Sequence, residues 1–192
     1  MLGFHEQMVS ELVEADGVTV LAGGLGLTKV LASLLRLHGQ EKSNELVLLL
    51  STSDEQRQAL REELQDQDAT AALPLEINNE YTSLERVQCY AKGGVFFITS
   101  RILIVDMLNE RVPLSKVAGV VVNNAHRLSE SCAEAFIVRL FRHANKVGFV
   151  RAFSDKPQAM VSGFSKTERV MKSLFVKRLY LWPRFHLSVS HA

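Results

Sequence analysis

Phe4, Met8, Val9, Leu12 and Val13 recur at spacings of three and four, which predicts an amphipathic helix over residues 4–15. Val18–Ala22 reads as a short buried strand, Gly23, Gly24 and Gly26 as a tight loop, and Leu27, Val30, Leu31, Leu34 and Leu35 as one face of a second helix. The unbroken apolar run Leu46–Leu50 predicts a strand covered on both faces. A polar helix over about 54–65 and a loop to Pro74 follow. Further strands are expected at Val95–Thr99, Ala118–Val122 and Val147–Phe153. Residues 101–109 fit either type: Ile102–Val105 has strand character, whereas Ser100 and Asn109 suit helix ends. Ser131 and Glu134 form a capping-box pair that would open a helix running to about His143. Val170, Met171, Leu174 and Phe175 predict a last long helix over 165–178, before the aromatic tail Leu179–Phe185. Alternating strands and helices define an α/β fold with a mostly parallel sheet, helices on both faces, and ligands at the C-terminal ends of the strands.

The 192 residues suffice for one substantial core. Apolar runs fall well short of the roughly 20 residues of a membrane span, and the start, with Glu6, does not read as a signal peptide. Cys89 and Cys132 lie far apart, outside any Cys/His cluster, and are read as buried thiols rather than a disulfide or a metal site. The net charge of +1 conceals an imbalance. Residues 1–138 carry 11 Lys/Arg against 19 Asp/Glu, and residues 139–192 carry 11 Lys/Arg against only Asp155 and Glu168. A basic end on an acidic body fits a polyanion or an acidic partner, or simply a solvated helix face.

The segment Val18–Lys29 is strand, glycine-rich loop and helix, the setting in which backbone N–H groups cradle a phosphate. A working phosphate loop ends Gly-Lys-Thr/Ser; here Gly24 and Leu25 lead into Gly26-Leu27-Thr28, so leucine stands where the lysine should be. Lys29 is no substitute, because two residues along a helix rotate a side chain by about 200°. The missing third glycine also excludes a dinucleotide fingerprint. Gly119-Val-Val-Val-Asn-Asn-Ala-His-Arg127 resembles the Asp-Glu-Ala-His box of superfamily-two helicases, with Asn123 and Asn124 in place of the metal-holding and water-activating acids and His126 retained. An amide has neither the charge nor the basicity for those tasks. Phe96–Arg101 resembles the helicase motif that touches the nucleic-acid backbone, and Phe153-Ser-Asp-Lys-Pro157 resembles the one that couples ATP to movement.

Gly94–Asp106, Glu134–Arg142, Arg151–Phe164 and Leu174–His186 extend this likeness into long matches, and through them the chain resembles the N-terminal part of the XPF family of DNA-repair endonucleases, its plant members in particular. The resemblance implies a RecA-like lobe over residues 1–164 that has lost its ATPase residues. It also implies a basic, aromatic segment over 165–192 leading into a helical insert beyond this chain. Intact members cut 5′ of a lesion in nucleotide excision repair and act in crosslink repair and recombination. They work in the nucleus as heterodimers with a smaller non-catalytic subunit, on single-strand/double-strand junctions and with other repair factors. Their nuclease residues, with the Mg²⁺ these use, lie outside these 192 residues. For this chain the resemblance therefore implies no catalytic residue, cofactor, metal or membrane.

The residues expected to touch DNA are Arg101, Lys166, Arg169 and Lys172 (the last three recurring every third residue along one side of the last helix), with Lys177, Arg178 and Arg184 beyond them. Tyr180 and Trp182 read as core or interface residues before they read as platforms for bases. Three functional classes remain open: a non-catalytic module binding DNA and partners, a protein scaffold without DNA contact, and a nucleotide-driven helicase lobe. Leu27, Asn123 and Asn124 weigh against the last.

Overall fold

A computed structural model describes residues 3–38 and 45–184. In chain order these form α1 (Gly3–Glu14), β1 (Gly17–Leu21), α2 (Leu27–His38), β2 (Leu46–Leu50), α3 (Asp54–Gln67), β3 (Leu75–Ile77), α4 (Ser83–Lys92), β4 (Gly94–Ile98) and α5 (Ser100–Leu108). They continue as β5 (Val117–Val122), α6 (Ala133–Ala144), β6 (Phe149–Ser154), α7 (Pro157–Val161), α8 (Lys166–Ser173) and β7 (Arg178–Trp182). The seven strands make one sheet in the order β3-β4-β2-β5-β6-β1-β7, and every pairing is parallel. The α/β, RecA-like expectation holds.

Strand periodicity divides the core. In β2, Leu48 points into a cluster with Val120, Ile137 and Phe141 under α5 and α6, while Leu49 points into one with Leu34, Val121 and Phe153 under α1 and α2. Both faces of the central strands are buried, which explains their continuous apolar runs.

Four local outcomes differ from the sequence reading or resolve it. Residues 101–109 are helical. Leu75–Ile77 and Ser83–Lys92 form an edge strand and a helix that the hydrophobic pattern does not reveal. Ser131 does not cap α6: its N-cap is Cys132, which makes no side-chain cap bond, and the Glu134 carboxylate turns instead to Ser51 and Ser100. The expected helix over 165–178 stops at Ser173. Phe175 takes a left-handed φ of 56°, and the amides of Phe175 and Val176 bond back to the carbonyls of Lys172 and Met171. That is a Schellman termination, normally marked by glycine. After it the chain turns into β7 beside β1, with Tyr180 packed so closely on Gly17 that a Cβ there would lie 2.7 Å from the ring. Phe185 lies outside the described residues.

Two charged groups are built into the interior. Asp106 of α5, fully buried, accepts hydrogen bonds from Arg86 Nε (2.6 Å) and Nη2 (2.9 Å), from Tyr90 Oη (2.8 Å) and from Arg111 Nη1 (3.2 Å). Burial alone would raise its pKa, but the bonds from Arg86, Tyr90 and Arg111 outweigh it and hold the carboxyl below its ordinary value. On the other face, Arg151 stacks 4.0 Å above the Phe149 ring and donates to Val13 O and to His38 Nε2, each at 3.2 Å.

Burial and the Arg151 charge lower His38 from 6.5 to about 4. A histidine whose folded pKa is depressed contributes stability that is present above the unfolded pKa and is lost as pH falls towards the folded one. Between pH 7.5 and 5.0 the wild type is therefore expected to lose more melting stability than His38→Gln, which keeps an acceptor for Arg151. After discounting for the partial exposure of His38, the difference is about 1 kcal/mol. Parallel pH profiles for the two proteins would remove His38 as the cause.

Candidate functional site

The glycine loop begins where β1 ends. The amide of Ala22 bonds to Trp182 O of β7 (2.9 Å), Leu25 N closes a turn on Ala22 O (3.3 Å), and Gly24 and Gly26 adopt φ of 85° and 78°, which suit glycine. Leu27 opens α2 and packs half-buried against the apolar cluster under α1 and α2, so the side chain in the lysine position lies on the rim of the core. Thr28 is half-buried beside it and Lys29 is exposed. His5 of α1 is buried against this loop, its Nε2 2.9 Å from Leu25 O and its Nδ1 without a partner among the described residues. A Cβ on Gly26 would come within 2.9 Å of that ring. The sequence held no long-range signal for His5.

The second motif sits at the same edge of the sheet, at the end of β5, with β6 between it and β1. Asn123 N continues the ladder to Leu50 O (3.0 Å). Asn124 takes the left-handed conformation, which asparagine tolerates. Its Nδ2 donates to Ser51 O (2.7 Å) and to Gln56 Oε1 (2.8 Å), and Gln56 Nε2 donates back to Asn124 Oδ1 (3.2 Å). Gln56 is itself held by the capping box with Ser53 at the start of α3. Where the helicase box has acids, this chain has two buried neutral amides, and that of Asn124 is locked to half-buried Gln56 and to the carbonyl of Ser51 just after β2.

His126 follows in a 3-10 turn, with Nδ1 2.9 Å from Ser154 Oγ at the end of β6. Burial first, and then the charges of Lys156 and Arg127, lower its pKa, which keeps the ring neutral near pH 7. This contact joins the Ala125-His-Arg127 element to the Phe153–Pro157 element, two motifs that the sequence only set in order. Glu134 joins two more: its Oε1 accepts from Ser51 Oγ (2.7 Å) and Ser100 Oγ (2.8 Å). Burial works to raise the Glu134 pKa, but these two hydroxyls hold it below the ordinary value. Among the described residues, no cluster of His, Cys, Asp and Glu is arranged to hold a metal ion.

The basic residues separate by environment. Arg169, Lys172, Lys177 and Arg178 are exposed and have no carboxylate within salt-bridge range among the described residues. Arg101 is exposed in the first turn of α5. Lys166 Nζ donates to Ala159 O (2.8 Å) and is half-buried. Arg184 grips both oxygens of Glu11 and lies 4.4 Å above the Trp182 ring. Tyr180 is buried, its hydroxyl directed at Glu11 O (3.4 Å). Cys89 and Cys132 are free thiols. Among the described residues, no helix is long and apolar enough to cross a membrane.

An all-parallel sheet that sets a glycine loop and an Asn-Asn-Ala-His turn at one edge is the architecture of a RecA-like lobe. In fold the chain resembles the helicase domain of Hef from Pyrococcus furiosus, with a TM-score of 0.76 and 23% identity, over 93% of this chain and 37% of that one. No family model matches the chain. In sequence it is 45% identical over 190 residues to the DNA repair endonuclease XPF of Cricetulus griseus and 44% identical over 191 residues to the DNA repair endonuclease UVH1 of Arabidopsis thaliana. It is 33% identical over 192 residues to the DNA repair protein rad16 of Schizosaccharomyces pombe. These alignments take in 98–100% of this chain and 20–21% of the relatives. Over nearly its whole length the chain is thus a homologue of the XPF-type DNA repair endonucleases, and it spans about a fifth of their length.

Proposed function

We propose that this chain is an ATPase-dead, helicase-like module that binds DNA and protein partners within an XPF-type repair endonuclease. The observation that carries the reading is the neutral closure of the former nucleotide site. Leu27 packs half-buried against the apolar cluster under α1 and α2, and Asn124 is hydrogen-bonded to Ser51 O and Gln56 where the helicase box carries an acid. Neither arrangement offers a phosphate clamp, a metal anchor or a base. Within the intact protein the module would serve 5′ incision in nucleotide excision repair, as well as crosslink repair and recombination. It would do so in the nucleus, alongside a smaller non-catalytic subunit and other repair factors. Residues 1–164 would supply the lobe and residues 165–192 the passage into a helical insert. Mg²⁺ would belong to the nuclease region outside these residues.

DNA contact is assigned to Arg169, Lys172, Lys177 and Arg178, with Arg101 as a further candidate. Lys166 and Arg184, already engaged within the chain, are secondary. If four cations meet phosphates, log affinity for a fluorescent splayed-arm duplex should fall with log salt at a slope of roughly −3 to −4. The double variant Arg169→Glu/Lys172→Glu should lower that slope by about 2. Wild-type affinity in the variant, or no binding even at low salt, would favour the pure scaffold. Calorimetry with Mg²⁺ and ATP is expected to give no measurable heat of binding, and micromolar affinity would return the active helicase lobe to consideration.

A further inference from the structure

The outer side of α6 carries cations and apolar groups together. Phe136, Arg139 and His143 follow one another at helical spacing, with Arg142 and Lys146 alongside. The single carboxylate of this helix, Glu134, faces inward to Ser51 and Ser100. Two hollows meet at Arg139. One, of about 400 Å³, lies between α5 and α6 and is bounded by Ile104, Phe136, Arg139 and the Glu130–Ala133 turn. The other, of about 480 Å³, is lined by Arg139, Arg142, His143, Lys146, Asp16 and the exposed ring of Phe175. Arg142 is paired with Asp16, but Arg139 and His143 face no carboxylate within salt-bridge range among the described residues. Phe175 is held half-exposed in a backbone conformation that costs a non-glycine residue about 1–2 kcal/mol.

We infer that this face is a docking site for an acidic peptide segment of a protein partner, one that carries a leucine or aromatic anchor. Charge complementarity selects the acid: Arg139 is a cation without a carboxylate partner among the described residues, and Arg142 and Lys146 add positive charge beside it. The anchor follows from the hollow of Ile104 and Phe136, whose apolar rim continues onto the exposed Val105 and Leu108 of α5. A nucleic-acid backbone would satisfy the cations but has no group for that hollow, whereas aromatic and arginine side chains beside an apolar pocket are what a protein interface concentrates its binding energy on. Apart from Arg101 of α5, the residues assigned to DNA lie on α8, β7 and the segment between them, so the Arg169 and Lys172 variants test that assignment separately.

Phage display of random 12-residue peptides on the 192-residue chain tests the inference, with the enriched consensus then made as a fluorescein-labelled peptide and titrated by anisotropy. The expected consensus is rich in Asp and Glu around at least one Leu, Phe, Tyr or Trp. Arg139→Glu/His143→Glu and, separately, Phe136→Asp should each weaken binding of that peptide by about tenfold or more, a loss of the size that central charged and aromatic contacts carry. Arg169→Glu should leave it unchanged. These positions are solvent-facing, so melting curves should stay at the wild-type midpoint and certify the fold of each variant. Enrichment without acidic residues, undiminished binding by both variants, or a 20-nucleotide single strand that binds this face with the same dependence on Arg139, His143 and Phe136 would each overturn the inference.

Discussion

Replacing Asp106 with alanine is expected to lower the melting midpoint by roughly 10 °C or more, or to abolish a cooperative melt altogether. Asp106 has no solvent contact and takes hydrogen bonds from Arg86, Tyr90 and Arg111. Its removal strands the guanidinium of Arg86, itself mostly buried, beside an unpaired phenol in an apolar core. Breaking a buried pair in this way costs about 3–5 kcal/mol, a large part of the 5–15 kcal/mol that holds a typical domain together. Asp106→Asn keeps the shape and one acceptor oxygen and should fall between the two. Replacing Asp106 and Arg86 together with leucine should recover part of the loss, because no charge is then left without a partner. A wild-type melt for Asp106→Ala would refute the assignment of this cluster as the clamp between α4 and α5.

The second large effect is expected from placing an acid at Asn124, in the turn that follows β5. Asn124→Asp places a carboxylate where an amide now donates to Ser51 O and Gln56 Oε1, so two attractive contacts become repulsive ones at a buried position. The expected penalty at pH 7 is about 2–4 kcal/mol, or roughly 5–15 °C in melting midpoint. The backbone is not the cause, since aspartate tolerates the left-handed conformation as well as asparagine does. The introduced carboxyl should have a raised folded pKa. Its penalty is then full at neutral pH and fades as pH falls towards the unfolded value of about 4, where both states carry the proton. Differential scanning at pH 7.5 and 4.5 reads this directly, and an undiminished midpoint at pH 7.5 would show that the turn after β5 accommodates a carboxylate.

Much of this design is legible in the residues, and the gaps have physical reasons. Leu46–Leu50 matches its strand residue for residue, because a run buried on both faces has no other reading. Leu27, Asn123 and Asn124 stand out in the sequence because the helicase motifs they resemble carry a lysine and two acids at those places. α4 escapes because Leu84 and Val87 are exposed and only Tyr90 is buried, so the helix shows no apolar stripe, although the capping box of Thr82 and Glu85 marks its start. The end of α8 escapes because a phenylalanine occupies the left-handed position where glycine would have announced the stop. The spacing of Glu134 from Ser131 suggests a local cap, whereas the carboxylate spans 83 residues of sequence to Ser51 and 34 to Ser100.

The place of β1 in the sheet also sets an order of events during synthesis. Of the seven strands described, β1 is made first, yet its two neighbours are β6 and β7, made sixth and seventh. The segment Gly17–Leu21, buried at every position in the finished domain, therefore waits without strand partners until Phe149 and the residues after it have been made. Through that interval an apolar strand with open hydrogen-bonding edges is available to other chains, which is the exposure that slows folding and recruits chaperones. The sheet can be nucleated earlier by β2, β4 and β5, which pair among themselves. The glycine loop, hung from the end of β1, would then be among the last parts of the lobe to take shape.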